Sequence, residues 1–168
     1  RKSFENLNKI NDTGVEIGYS SEYLINRNIL KEISEKSILT IDNNYVLIEM
    51  GFVNEPGELF EIIFQLMLND YTPILAHPER YLFYYDNFKI YYKLKKHGCK
   101  FQINLLSAVG YYGKRVANLC EKLFDEGLVD YVGSDIHNEN HIKYFNKKIK
   151  INSKNLELAI ENNQIFNN

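Results

Sequence analysis

A chain of 168 residues with 45% apolar and 25% charged side chains has the size and mix of a single globular domain with a sizeable core. Its formal net charge of −2 excludes the strongly basic surface of a nucleic-acid or membrane-surface binder. Its two cysteines, Cys99 and Cys120, lie far apart and exclude a disulfide framework. They read as free core thiols of a reducing, cytoplasmic compartment, and the sequence shows no secretory signal or bilayer-length apolar run.

Residues 1–12 are polar and read as a linker or as part of a helix cut off upstream. Thr13 to Tyr19 alternates in character and predicts a short strand, with Glu16 costly among apolar neighbours unless paired. A helix is expected from about Ser21, a suitable N-cap, through Leu24, Ile25, Ile29, Leu30 and Ile33. Ile38 to Ile41 is a brief extended piece, and Asn43-Asn44 turns into the apolar run Tyr45 to Met50. That run predicts a parallel strand buried on both faces, with Glu49 near its end. Glu55-Pro56-Gly57-Glu58 opens a helix reaching Met67, which Asn69-Asp70 closes.

Ile74 to Ala76 forms a strand that stops at His77. Pro78 disfavours helical geometry there and leaves the imidazole at the strand tip. Phe83 to His97 is an amphipathic helix with Phe88, Tyr91, Tyr92 and Leu94 facing the core and Gly98 as its cap. Lys100 to Leu105 is a strand that delivers Asn104 to its end. Gly110 to Gly127 holds a long helix, and Leu128 to Gly133 is a strand running into Ser134-Asp135-Ile136-His137. Residues 152–162 are helical, and the Asn-rich tail is expected to fray. This alternation of strands and helices predicts an α/β domain over residues 1–168, built on a parallel sheet or barrel.

Glu16, Glu49, His77, Asp135 and His137 each fall at or just past the C-terminal end of a predicted strand. Parallel strands put those ends on one rim, where carboxylates repel unless a cation holds them. Mixed Asp, Glu and His donors suit Mn, Fe, Mg or Zn. Glu16 or Glu49 taken alone reads more readily as a rim ion pair or helix cap. Asp135 and His137 are more specific, since positions i and i+2 of an extended segment face one side. Arg80 suits a phosphate or, alternatively, a rim pair with Glu79. His141 reads equally as a substrate or metal contact or as a surface loop residue, His97 as a helix-end residue. Asn104 and Ser107 either orient water or substrate or satisfy local backbone groups. Lys114, in the Tyr111–Arg115 cluster, reads as a solvated helix face.

The segments PILAHPERY, YVLIEM, GCKFQINLLSAVGYYGKRV and YVGSDIHN, with GVEI upstream, resemble the manganese-dependent, PHP-family protein-tyrosine phosphatases of bacterial capsule and exopolysaccharide loci. The resemblance runs from about Gly14 to His141. It implies a PHP-type distorted (β/α) TIM-like barrel and a centre of up to three divalent cations, Mn2+ foremost. Glu16, Glu49, His77, Asp135 and His137 match its later ligands, Arg80 its phosphate-binding arginine, and His77 and Arg80 its catalytic residues. Neither cysteine serves as nucleophile in such chemistry. The implied partner is a phosphotyrosine protein, the tail of a polysaccharide-assembly tyrosine kinase. Two features depart from the family. No His-x-His strand precedes Glu16, so the first strands of the barrel are expected to be missing. Asn138 to Lys143 lacks the arginine that many relatives carry, leaving His141 or Lys143 in its place. The competing readings are a PHP-type phosphoesterase acting on a small phosphorylated substrate, and a non-catalytic fragment serving packing or a homo-oligomer interface.

Overall fold

The computed structural model describes residues 2–42, 44–149, 151 and 153–167. In chain order these form α1 (Lys2–Ile10), β1 (Glu22–Leu24), α2 (Arg27–Ser34), β2 (Tyr45–Glu49), α3 (Leu59–Leu68) and β3 (Thr72–Ala76). Two 3-10 turns follow (Pro78–Arg80 and Leu82–Tyr84), then α4 (Lys89–Lys96), β4 (Lys100–Asn104), α5 (Leu105–Ala108) and α6 (Lys114–Asp125). The chain ends with β5 (Tyr131–Gly133), α7 (Glu139–Tyr144), α8 (Ser153–Asn162) and a 3-10 turn (Asn163–Asn167).

Among the described residues the sheet has five strands, all parallel, in the order β1-β2-β3-β4-β5. Sheet order therefore equals chain order, and each strand's C-terminal end lies on the same rim. The registers are Leu24 opposite Glu49, Ile48 opposite Leu75, Ala76 opposite Gln102, and Asn104 opposite Gly133. The core holds Val46, Ile48, Leu75, Phe101, Ile103 and Val132 from the strands. Leu59, Ile62, Ile63 and Leu66 of α3, with Leu119, Cys120, Leu123 and Phe124 of α6, cover them.

The structure corrects the sequence reading in several places. Residues 13–19 form no strand. Asn11 Oδ1 accepts from the Thr13 N–H and hydroxyl, the Asn11 side chain donates 2.7 Å to the Val15 carbonyl, and Gly14 turns at φ +72°. These local bonds give the backbone an alternative to a ladder. The first strand lies later, at Glu22–Leu24, where a helix was expected. That helix starts at Arg27 instead, with Asn26 as cap accepting 2.8 Å from Asn28 N–H. β2 is buried on alternate residues rather than on both faces. The helix expected over 83–97 is α4 alone, because Leu82–Tyr84 tightens into a 3-10 turn with Tyr84 packed on Tyr91. The expected turn residue Asn43 lies outside the described residues.

Within the Asn-rich tail, Asn163 pairs with β5. Asn163 donates 2.8 Å to the Val132 carbonyl and accepts 3.2 Å from the Val132 N–H, so one side-chain amide stands in for a neighbouring strand at β5. Among the described residues no helix is long and apolar enough to cross a membrane.

Candidate metal centre

Strands β1, β2 and β3 bring Glu22, Glu49 and His77 together, with one ligand atom of each within 4.8 Å of the others. His77 Nε2 lies 3.4 Å from Glu22 Oε1 and 3.6 Å from Glu49 Oε2. Glu49 ends β2 and His77 follows the last residue of β3, while Glu22 opens β1 opposite Leu47, two residues before Glu49 on the same face, and reaches the group from there.

His77 is buried and stands at φ +36°, a left-handed conformation that a residue with a side chain adopts only when its surroundings hold it. Its N–H donates 2.8 Å to the Gln102 carbonyl, its carbonyl accepts from Arg80 N–H at 2.9 Å, and its ring lies against Phe52 and Tyr81. Its Nδ1 is buried without a hydrogen-bond partner among the described residues.

The electrostatics separate the two carboxyls. A hydrogen bond with His77 holds Glu22 below the usual carboxylate range against the opposing effect of burial. Burial, and then the charge of Glu22, pushes Glu49 up. Like charges held this close are the arrangement a cation relieves.

Beside this group, Asp135 follows β5 at φ +47°. Its Oδ2 accepts 2.9 Å from Arg80 Nη1 and 2.9 Å from Asn104 Nδ2. Arg80 does not pair with Glu79 but turns to Asp135, its guanidinium carbon 4.6 Å from the Phe52 ring centroid and 4.3 Å from that of Tyr112. His137 Nδ1 lies 3.3 Å from Asp135 Oδ1, and its ring is exposed. His141 is buried against Tyr111, its Nδ1 3.3 Å from the His137 nitrogen. A cavity of about 260 Å³ lined by Glu22, His77, Asn104 and Asp135 joins the two groups.

Of the residues expected at the rim, Glu49 and His77 share one cluster, while Asp135, Arg80, Asn104, His137 and His141 adjoin one another. Glu16 is not among them. It is exposed and lines a separate cavity of about 590 Å³ with Tyr19, Asp42 and Phe166. The carboxyl beside Glu49 and His77 is that of Glu22, the first residue of β1. Its signal was the acid beside Tyr23 and Leu24, which helical spacing absorbed. Glu79, read from sequence only as a partner for Arg80, is fully buried. Its Oε1 accepts 3.1 Å from Asn104 N–H and 2.6 Å from the Ser107 hydroxyl.

A family model for capsular polysaccharide synthesis, CpsB/CapC, matches residues 2–163. The tyrosine-protein phosphatase YwqE of Bacillus subtilis is 29% identical over 142 residues, which is 82% of this chain and 56% of that protein. The tyrosine-protein phosphatase CpsB of Streptococcus pneumoniae is 28% identical over 128 residues, 73% of this chain and 53% of that protein. The chain thus spans about half the length of these relatives. A solved structure, from work on YwqE and CpsB as metal-dependent tyrosine phosphatases, superposes with a TM-score of 0.73 at 24% identity. It covers 96% of this chain and 70% of its own, a likeness of fold.

Proposed function

We propose, on the premise that the chain belongs to the CpsB/CapC family of capsular polysaccharide synthesis, that it carries the metal site of a phosphatase hydrolysing phosphotyrosine in proteins. The observation that carries this reading is the convergence of Glu22, Glu49 and His77 beside an arginine held by Asp135.

The residues fit a divalent cation. Two carboxyls crowd the Nε2 of one buried imidazole, and burial and then the charge of Glu22 raise the proton affinity of Glu49. We assign Glu22, Glu49 and His77 as donors, with Asp135 and His137 as donors beside them. Mn2+ is the first choice and Fe, Mg or Zn the others. A cation bound there supplies positive charge that acidifies water and stabilises a phosphoryl oxyanion.

The chain's own residues do the rest. Arg80 is stacked between two aromatic rings, which keeps its planar fork ready for phosphate oxygens. His141 and Asn104 line the approach, each fixed by a hydrogen bond or ring contact. Buried Cys99 and Cys120 are raised in pKa by desolvation, which suits neither to act as nucleophile.

The finer fold reading is a PHP-type distorted (β/α) barrel. The rings of Tyr45 on β2 and Tyr131 on β5 lie 6.2 Å apart across two intervening strands. A flat sheet would space those strands by about 14 Å, so the contact supports curling toward a barrel. The substrate we favour is the phosphotyrosine-bearing tail of a polysaccharide-assembly tyrosine kinase, met in the cytoplasm.

Phosphate release from phosphotyrosyl peptide, phosphoseryl peptide and a small phosphomonoester tests the reading. Preference for the phosphotyrosyl peptide, with Arg80→Lys raising its KM about tenfold or more, supports it. Preference for the small ester contradicts it.

A further inference from the structure

We propose that Glu79 is a positioning residue that holds Asn104, and through Asn104 the carboxylate of Asp135, in the geometry of the site. Glu79 lies between His77 and Arg80 in the chain, yet its carboxyl turns to neither. It is fully buried at the junction of β4 and α5, where Oε1 accepts from Asn104 N–H and the Ser107 hydroxyl. Its Oε2 has no hydrogen-bond partner among the described residues. A carboxyl buried with one oxygen orphaned costs stability that an apolar residue of similar size would not. What the group secures is order at one point of the rim.

The helix α5 is four residues long, too short to hold its own shape. Its cap is Asn104, whose Oδ1 accepts 2.9 Å from Leu106 N–H. With Oδ1 committed to the cap, Nδ2 faces Asp135 Oδ2 at 2.9 Å and the Tyr112 hydroxyl at 3.4 Å. Asp135 itself stands at φ +47° and depends on its neighbours to stay there. Both donors to its Oδ2 trace back to one turn. Arg80 is the next residue after Glu79, and Asn104 is bonded to Glu79 directly. The buried carboxyl thereby ties the ends of β3, β4 and β5 together without lying at the reacting centre.

The test compares Glu79→Gln, Glu79→Ala and Ser107→Ala in the protein as encoded. Two readouts are used: hydrogen exchange of the Asn104 side-chain amide by NMR, and kcat and KM on a phosphotyrosyl peptide. The kinetic arm rests on the phosphatase reading, and the exchange arm does not. Glu79→Gln keeps the acceptor and should stay within about threefold of the parent in both. Glu79→Ala should speed Asn104 exchange and lower kcat by about tenfold or more, with KM changed less than about threefold. Should Glu79→Ala not fold, Ser107→Ala decides, with faster Asn104 exchange and rescue of exchange by Ser107→Thr expected. Unchanged exchange in folded Glu79→Ala, or in Ser107→Ala when Glu79→Ala does not fold, overturns the proposal. So does a Glu79→Gln variant as impaired as the alanine. A parent protein that hydrolyses no phosphotyrosine sinks the phosphatase reading, while Asn104 exchange still decides the role of Glu79.

Discussion

Replacing Glu22 with glutamine should cost cation affinity while leaving the cation-free fold almost unchanged. The ligand atoms of Glu22 and Glu49 lie within 4.8 Å. Two unit charges at that separation repel by about 3.5 kcal/mol at an effective dielectric of 20. The side chains are 31% and 30% exposed, so solvent is present on one side. Screening discounts the repulsion to about 1–2 kcal/mol. Without a cation, Glu22→Gln relieves that repulsion and weakens a hydrogen bond with His77 worth about 1 kcal/mol. The two changes offset, and the melting temperature should hold. With a dication the charge product doubles and changes sign, so losing the carboxylate costs about 2–4 kcal/mol of binding, roughly thirtyfold or more in Kd. Calorimetric titration with Mn2+ measures this directly, with Glu16→Gln as the control expected to bind like the parent. Equal weakening by Glu16→Gln, or no weakening by Glu22→Gln, would refute the assignment.

Three further outcomes follow from the packing. Burial pushes the Cys99 thiol up to about 12. It should resist iodoacetamide at pH 8 in the native state and react in urea. Below the unfolded value of about 8.5 the thiol is neutral in both states; above it the unfolded chain ionises first, so stability falls toward pH 12 by up to about 1.4 kcal/mol per unit. Urea unfolding at pH 8 and 10, with Cys99→Ala reducing the difference and Cys99→Ala/Cys120→Ala reducing it further, because burial raises both thiols, checks the sign. Gly98 sits at φ +84°, and a Cβ there would meet Met67 Cε at 2.9 Å, whereas Gly127 at φ +65° has open space. Gly98→Ala should lose about 1–2 kcal/mol, and calorimetric melts should show Gly127→Ala losing less. Tyr81→Phe leaves the Met50 N–H, now donating 2.9 Å to the Tyr81 hydroxyl, buried without an acceptor. Denaturant unfolding should show a loss of about 1–3 kcal/mol, and an unchanged midpoint would mean that this bond contributes nothing.

Much of the architecture was legible because apolar runs and glycine caps are local signals. Tyr45 to Glu49, Lys100 to Asn104 and the long helix ending at Gly127 lie close to where periodicity placed them. The first strand was not legible. Thr13 to Tyr19 alternates like a strand but spends its polar groups on Asn11 and Thr13, and Glu22 to Leu24 becomes extended only by pairing with Leu47 to Glu49. That long-range pairing brings Glu22 beside Glu49 and His77, while Glu16 lies elsewhere on the surface. The left-handed turns at His77 and Asp135 were equally invisible, since neither residue type demands them. Glu79 looked like a surface charge because its neighbour is Arg80. Only the fold shows that the arginine turns to Asp135 and the acid turns inward to Asn104 and Ser107.

The central claim is that Glu22, Glu49 and His77 hold a cation needed for phosphotyrosine hydrolysis. Its most direct test is phosphate release from a phosphotyrosyl peptide by the protein as encoded, measured after chelation and after Mn2+ is restored, alongside His77→Ala. The account predicts that activity is lost with chelator, recovered with Mn2+, and not recovered in His77→Ala. Hydrolysis indifferent to both chelation and His77→Ala would contradict it.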